Sequence, residues 1–203
     1  IGLTPLLQQR TDHPWGLNAW QNAKGFRTDG SFAYGRQILQ RLTDDPQTPD
    51  FQFGSTLRRV AAGTDRFQFG ETPDNTALNS LHSFLQNCSE LQIHVVAFLP
   101  PLANSVSSAL QTSGRHQYLE QLPSALQQLF SSTSHELHCF PNLASLGADD
   151  SEAIDGFHAG EKATLRQLLH MLQQGSRLNQ CCNIEQLTRD LAAAPNALEV
   201  YPR

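Results

Sequence analysis

Asp155-Gly156-Phe157-His158 is the part of this sequence best suited to chemistry. A carboxylate three residues ahead of an imidazole, on a chain that a glycine lets turn, folds back onto Nδ1. That bond fixes the tautomer and leaves Nε2 as a general base for a hydroxyl nucleophile. The competing reading is structural: Asp155 caps the helix that follows, and His158 packs near its first turn. The Asp-x-x-His spacing is common, so on four residues alone the cap is the simpler of the two.

Other candidates carry less. His135-Glu136-Leu137-His138 has the residue types of a metal site, but zinc proteases hold two His at i and i+4 on one helical face. Here the offset is three, in a run that reads as strand, where odd offsets point to opposite faces. No metal and no cofactor is expected. Asn104 follows Pro100-Pro101 at the C-terminal end of an apolar strand and is a candidate pocket residue, against an ordinary polar loop position. Arg27, in Phe26-Arg27-Thr28-Asp29-Gly30-Ser31, is a candidate to hold a substrate carboxylate or phosphate, against a solvated turn. Trp15 and Trp20 have the rings to stack on a sugar, and packing serves them equally well.

The elements that must position these residues are clearest after Pro73. Asp74 or Asn75 reads as an N-cap, followed by Leu78, Leu81, Leu85 and Cys88 at helical spacing. Ile93 to Leu99 is a near-continuous apolar run stopped by Pro100-Pro101, as expected of a strand buried on both faces of a parallel sheet. A helix is predicted around Tyr118 to Phe130, with Pro123 placed to kink it or to start a second one. Glu136 to Phe140 reads as a second, edge-like strand. A loop rich in Gly, Asp and Ser leads to Asp155, and an amphipathic helix runs from about Ala159 to Gln174. A last helix starts at Asn183, with Gln186 as its capping-box partner and Ile184, Leu187 and Leu191 buried.

Residues 1 to 75 read as an irregular N-terminal segment, an insertion or a border to the cleft. It holds one helix from about Tyr34 to Leu42 and short strands at Phe51–Phe53 and Phe67–Phe69. Residues 76 to 203 read as the C-terminal part of an open α/β domain.

At 203 residues the chain is long enough for one such domain or most of one. Its 14 Lys plus Arg against 19 Asp plus Glu give a net charge of −5, and no Lys/Arg-rich stretch occurs. Nucleic acid is therefore not an expected partner. No apolar run reaches membrane-spanning length. The cysteines, Cys88, Cys139, Cys181 and Cys182, form no CxxC pair; the first two fall on apolar helix and strand positions, the last two in a loop. Free thiols favour a reducing, cytoplasmic compartment, with the cell envelope as the alternative if an upstream anchor has been removed.

The run Val95-Val96-Ala97-Phe98-Leu99-Pro100-Pro101-Leu102, a helix, a second strand and then Ile154-Asp155-Gly156-Phe157-His158-Ala159-Gly160-Glu161 resembles the C-terminal half of the SGNH/GDSL hydrolase superfamily. More narrowly it is similar to the divergent members related to the D-alanyl transfer protein of teichoic acid synthesis and to alginate acetylation proteins. The resemblance spans residues of roughly 75 to 175 and rests on element order plus the Asp-Gly-x-His block. It implies a three-layer α/β sandwich with a mostly parallel, flavodoxin-like sheet. It also implies a polar acyl ester or glycan substrate, His158 as catalytic base and Asp155 as its orienting acid.

The family's nucleophile is a serine in a Gly-[Asp/Thr/Ser]-Ser block after the first strand, and no such block stands at the start of this chain. Ser55 in Gly54-Ser55 is the best local imitation, with Ser31 behind it. Only about 40 residues separate Ser55 from the strand at Ile93, too few for the intervening βαβ units at roughly 30 residues each. The first residue is Ile1, not Met, so the serine is expected in an upstream segment. Two functions follow: an SGNH-type ester hydrolase or O-acyltransferase, or a non-catalytic SGNH-like module that binds a glycan or assembles with a partner. Neither reading fixes the oligomeric state.

Overall fold

The computed structural model describes residues 24–26 and 32–201. Among them are seven α-helices and a small parallel sheet, a mixed α/β architecture. A two-residue antiparallel pair, β1 (Gly25–Phe26) and β2 (Phe32–Ala33), comes first. Helices α1 (Arg36–Leu42) and α2 (Gly54–Ala62) follow.

Helix α3 (Asn75–Glu90) begins where Asp74 caps it. The Asp74 carboxylate accepts the N–H groups of Thr76 at 2.6 Å and Ala77 at 3.0 Å, satisfying two of the helix's free donors. The N–H donors of Ala77 and Thr76 hold its pKa below the ordinary carboxylate range. Strand β3 (Val96–Leu99) then pairs in parallel with β4 (Glu136–Cys139), from Val96 opposite Glu136 to Leu99 opposite Cys139. Parallel strands need a long crossover. Here it consists of α4 (Asn104–Ser113) and α5 (Tyr118–Ser131). Pro123 lies within α5, which continues past it although Pro123 has no N–H for the carbonyl of Leu119.

After β4, two short 3₁₀ turns (Leu143–Leu146 and Asp150–Glu152) lead to α6 (Glu161–Gln173), and α7 (Ile184–Ala192) closes the series. Val96 packs with Phe140, Leu146 and Met171 of α6, while α5 lies against β4. The main core joins Phe53, Val60 and Phe67 to Val106, Leu110, Leu143 and Ala163, with α2 packed on α4. No helix among the described residues is long and apolar enough to cross a membrane.

Several expectations need correction. Phe51–Phe53 is a 3₁₀ turn, not a strand: Asp50, Gln52 and Phe53 all have left-handed φ values, which tertiary packing of Phe53 imposes. Phe67–Phe69 carries no strand either. The strand predicted from Ile93 starts at Val96, because the Ile93 N–H turns back to the carbonyl of Cys88. It is not covered on both faces: Phe98 is 50% exposed, and β4 is the sole strand neighbour of β3 among the described residues. Asn183 does cap α7, accepting the Gln186 N–H at 3.0 Å, but the Gln186 side chain binds Asp190 instead of completing the box, and Ile184 is exposed. Trp15, Trp20, Arg27 and Ser31 lie outside the described residues.

Candidate functional site

The Asp155 loop is the tip of a minimal hairpin. Ala153 bridges Ala159, the Ile154 N–H donates to the His158 carbonyl at 2.8 Å, and the Gly160 N–H donates to Glu152 at 2.8 Å. Within that tip Oδ1 of Asp155 accepts the N–H groups of Phe157 (3.0 Å) and His158 (2.8 Å). Oδ2 lies 2.7 Å from His158 Nδ1. An ionised carboxylate only accepts, so in the neutral ring this contact places the proton on Nδ1 and leaves the lone pair on Nε2. Asp155 is 16% exposed as a side chain and His158 48%, so the carboxylate is sheltered and the imidazole open.

The helix-cap reading of this motif does not hold. The N-cap of α6 is Gly160, with no side-chain cap, and Asp155 spends its oxygens on its own loop and on His158. The start of α6 is anchored elsewhere. Buried Glu152 takes a forked ion pair from Arg166 at 3.0–3.2 Å, with Lys162 at 3.8 Å.

Residues far away in sequence hold the loop. The Asp50 carboxylate accepts the Thr56 hydroxyl (2.6 Å), the Thr56 N–H (2.8 Å) and the Gly156 N–H (3.1 Å). Gly156 must be glycine: a Cβ there would come within 2.6 Å of the fully buried Thr56 side chain. The Gly156 carbonyl accepts the Ala103 N–H at 3.2 Å, which ties the tip to the start of α4. Arg41 of α1 donates to the carbonyls of Ala153 (3.1 Å) and Asp150 (2.9 Å). Phe157 lies beside the base, 4.2 Å between ring centroids, with the guanidinium carbons of Arg59 at 5.3 Å and Arg66 at 5.8 Å from its ring centre. Tyr34 packs on Ile154; burial first, then the charge of Asp155, raises its pKa. None of Asp50, Thr56 or Arg41 carried a sequence signal, because each acts on a partner about a hundred residues on or across a helix turn.

The other sequence candidates sit as follows. Ser55 is exposed near the start of α2, and no hydrogen bond joins it to His158; its neighbour Thr56 is the one turned into the loop. Asn104 is a clip: Oδ1 accepts the Ala144 N–H (2.7 Å) and Nδ2 donates to Ala148 (3.3 Å). Asp150 caps α4 from outside, accepting the N–H groups of Asn104 and Ser105.

His135 and His138 point apart, as strand geometry requires. Nδ1 of His135 accepts the Val95 N–H, so Nε2–H donates to Leu85, at 2.9 Å. His138 bonds Gln174 through Nδ1 at 2.8 Å and faces Glu136 at 3.5 Å through Nε2. Glu136 also takes His94 Nε2 at 2.8 Å and the Arg177 N–H at 2.9 Å. Among the described residues no group of three or more His, Cys, Asp or Glu could hold a metal ion.

The site therefore has an imidazole held by a carboxylate and about half exposed, with no hydroxyl bonded to it among the described residues. No family model matches the chain, and no match is found among curated proteins or solved structures.

Proposed function

We propose that the chain is the base-bearing part of an SGNH-like ester hydrolase or O-acyltransferase acting on an acylated glycan or similar polar ester. The observation that carries this reading is the 2.7 Å contact between Asp155 Oδ2 and His158 Nδ1, in a side chain 48% exposed whose Nε2 has no hydrogen bond among the described residues. A serine attacks the acyl carbonyl, His158 Nε2 takes its proton and returns it to the leaving alcohol, and Asp155 stabilises the imidazolium. The serine comes from outside the described residues, upstream of the sheet. The parallel pair β3–β4, with α5 against β4 and Met171 of α6 packed with Val96, is then read as the edge of a three-layer sandwich.

The test is hydrolysis of 4-nitrophenyl acetate and of an acetylated xylo-oligosaccharide by the complete polypeptide and its His158→Ala variant. The variant is expected to lose at least about 10³-fold in rate. Equal rates remove His158 from the reaction.

One observation favours the second reading, a non-catalytic SGNH-like module: no serine hydroxyl reaches His158 among the described residues. A fluorophosphonate reagent separates the two, since the hydrolase is labelled on serine and the binding module is not.

A further inference from the structure

We propose a second site, separate from Asp155 and His158: the cavity at the C-terminal ends of β3 and β4 binds a neutral, largely apolar molecule with one hydroxyl or carbonyl group. The cavity has a volume of about 570 Å³ and lies between α4 and α5. Protein interiors leave few voids larger than a water molecule, whereas small-molecule sites occupy about 300–1,000 Å³. Open α/β folds place such sites beyond the carboxyl ends of their parallel strands, and this cavity begins at Leu99 and Cys139, the last residues of both.

The lining sets the ligand class. Leu110, Leu119, Leu122 and Phe140 form apolar walls. Pro100 and Pro141, where the strands stop, and Pro123 inside α5 add apolar surface with no N–H to donate. His116 touches the cavity but is committed, with Nδ1 on Ser113 (2.8 Å) and Nε2 on the Phe67 carbonyl (2.9 Å). The Cys139 thiol is kept neutral by burial, which pushes its pKa up. Ser107 is different. It is 7% exposed, lines the cavity, and its hydroxyl has no hydrogen-bond partner among the described residues. That hydroxyl is therefore available to pair with one polar group of a ligand at the cavity wall. The sole charged residue of the lining is Glu120, with no Lys or Arg to offset it, so a ligand carboxylate meets a like charge.

The test is fluorescence titration with the neutral apolar dye N-phenyl-1-naphthylamine, followed by displacement with 1-decanol or decanoate. Saturable binding at one site is expected for the wild-type chain; a folded chain that does not bind the dye overturns the proposal. Leu119→Phe/Leu122→Phe fills the cavity and is expected to weaken the dye at least about tenfold while the thermal midpoint is kept or raised. Unchanged affinity in that folded variant also overturns it. Ser107→Ala, a mild change that guards against misfolding of the double variant, should weaken 1-decanol by about fivefold and leave the dye unaffected. Equal decanol affinity removes Ser107 from the site. Decanoate should bind at least about tenfold more weakly than 1-decanol at pH 7, and a tighter decanoate overturns the neutral-ligand assignment.

Discussion

Two carboxylate–imidazole assemblies sit at opposite ends of the same parallel pair. At the amino end, Glu136 is held by His94 at 2.8 Å, His138 at 3.5 Å and the Arg177 N–H at 2.9 Å. At the carboxyl end, Asp155 holds His158 at 2.7 Å. The His94 and His158 contacts nearly coincide, but His94 is 18% exposed and its second ring nitrogen, Nδ1, is buried without a partner among the described residues. His138 is 7% exposed with both ring nitrogens engaged, and the Glu136 carboxylate ties the starts of β3 and β4 to the end of α6. His158 is 48% exposed with one nitrogen unspent. A short carboxylate–imidazole distance therefore does not separate the two assemblies; the exposure of the ring does. The Glu136 assembly also shows its structural character in its ionisation. Burial acts to raise the Glu136 pKa, but hydrogen bonds from Ser176, Arg177, His94 and His138 outweigh it and hold the group at about 2.

If the two assemblies differ as described, mutations should separate activity from stability. The largest effect is expected at His158. His158→Ala in the complete polypeptide loses at least about 10³-fold in ester hydrolysis while its unfolding free energy stays within about 0.5 kcal/mol, by urea titration. A large stability loss would place His158 with the structural group.

Next is Gly156→Ala, which forces a methyl against Thr56 and is expected to cost about 3 kcal/mol and displace the loop. Wild-type stability in that variant would show that the loop is not wedged as described. Glu136→Gln should cost about 2 kcal/mol, a thermal midpoint lower by roughly 4–8 °C, with the rate of the folded protein unchanged.

That third prediction has a pH signature. The folded pKa of Glu136 is about 2, below the unfolded value of about 4.3. Its stabilisation is therefore complete above the unfolded pKa and lost as pH falls toward the folded one. Wild type and Glu136→Gln should differ most at pH 7 and converge between pH ~4.5 and ~2. A constant difference across that window contradicts the assignment. The smallest effect is Asn104→Ala, about 1 kcal/mol for the two bonds lost, with activity retained. A rate loss at unchanged stability would return Asn104 to the substrate pocket.

What the sequence revealed and what it hid divide along the same line between local and long-range contacts. Asp74, Asn183 and the Asp155–His158 pair act on partners two or three residues away, so spacing alone exposes them. The β3–β4 pair was visible through its apolar run and the prolines that end it. Hidden were the contacts that hold the candidate loop, Asp50 to Gly156 and Arg41 to Ala153, which span 106 and 112 residues. The Phe51–Phe53 turn misled because two aromatics at i and i+2 satisfy a strand pattern, whereas Phe53 is pulled into the core on a left-handed backbone. The serine expected of a catalytic triad is not brought to His158 by any described residue.

The tautomer of His158, read from its ring ¹⁵N shifts by NMR, reports directly whether Asp155 orients the ring. An Asp155-oriented base requires the neutral ring to be protonated on Nδ1 and bare on Nε2, with Asp155→Ala converting it to a mixture of both forms. A neutral His158 protonated mainly on Nε2, or a tautomer indifferent to loss of the Asp155 carboxylate, would contradict it.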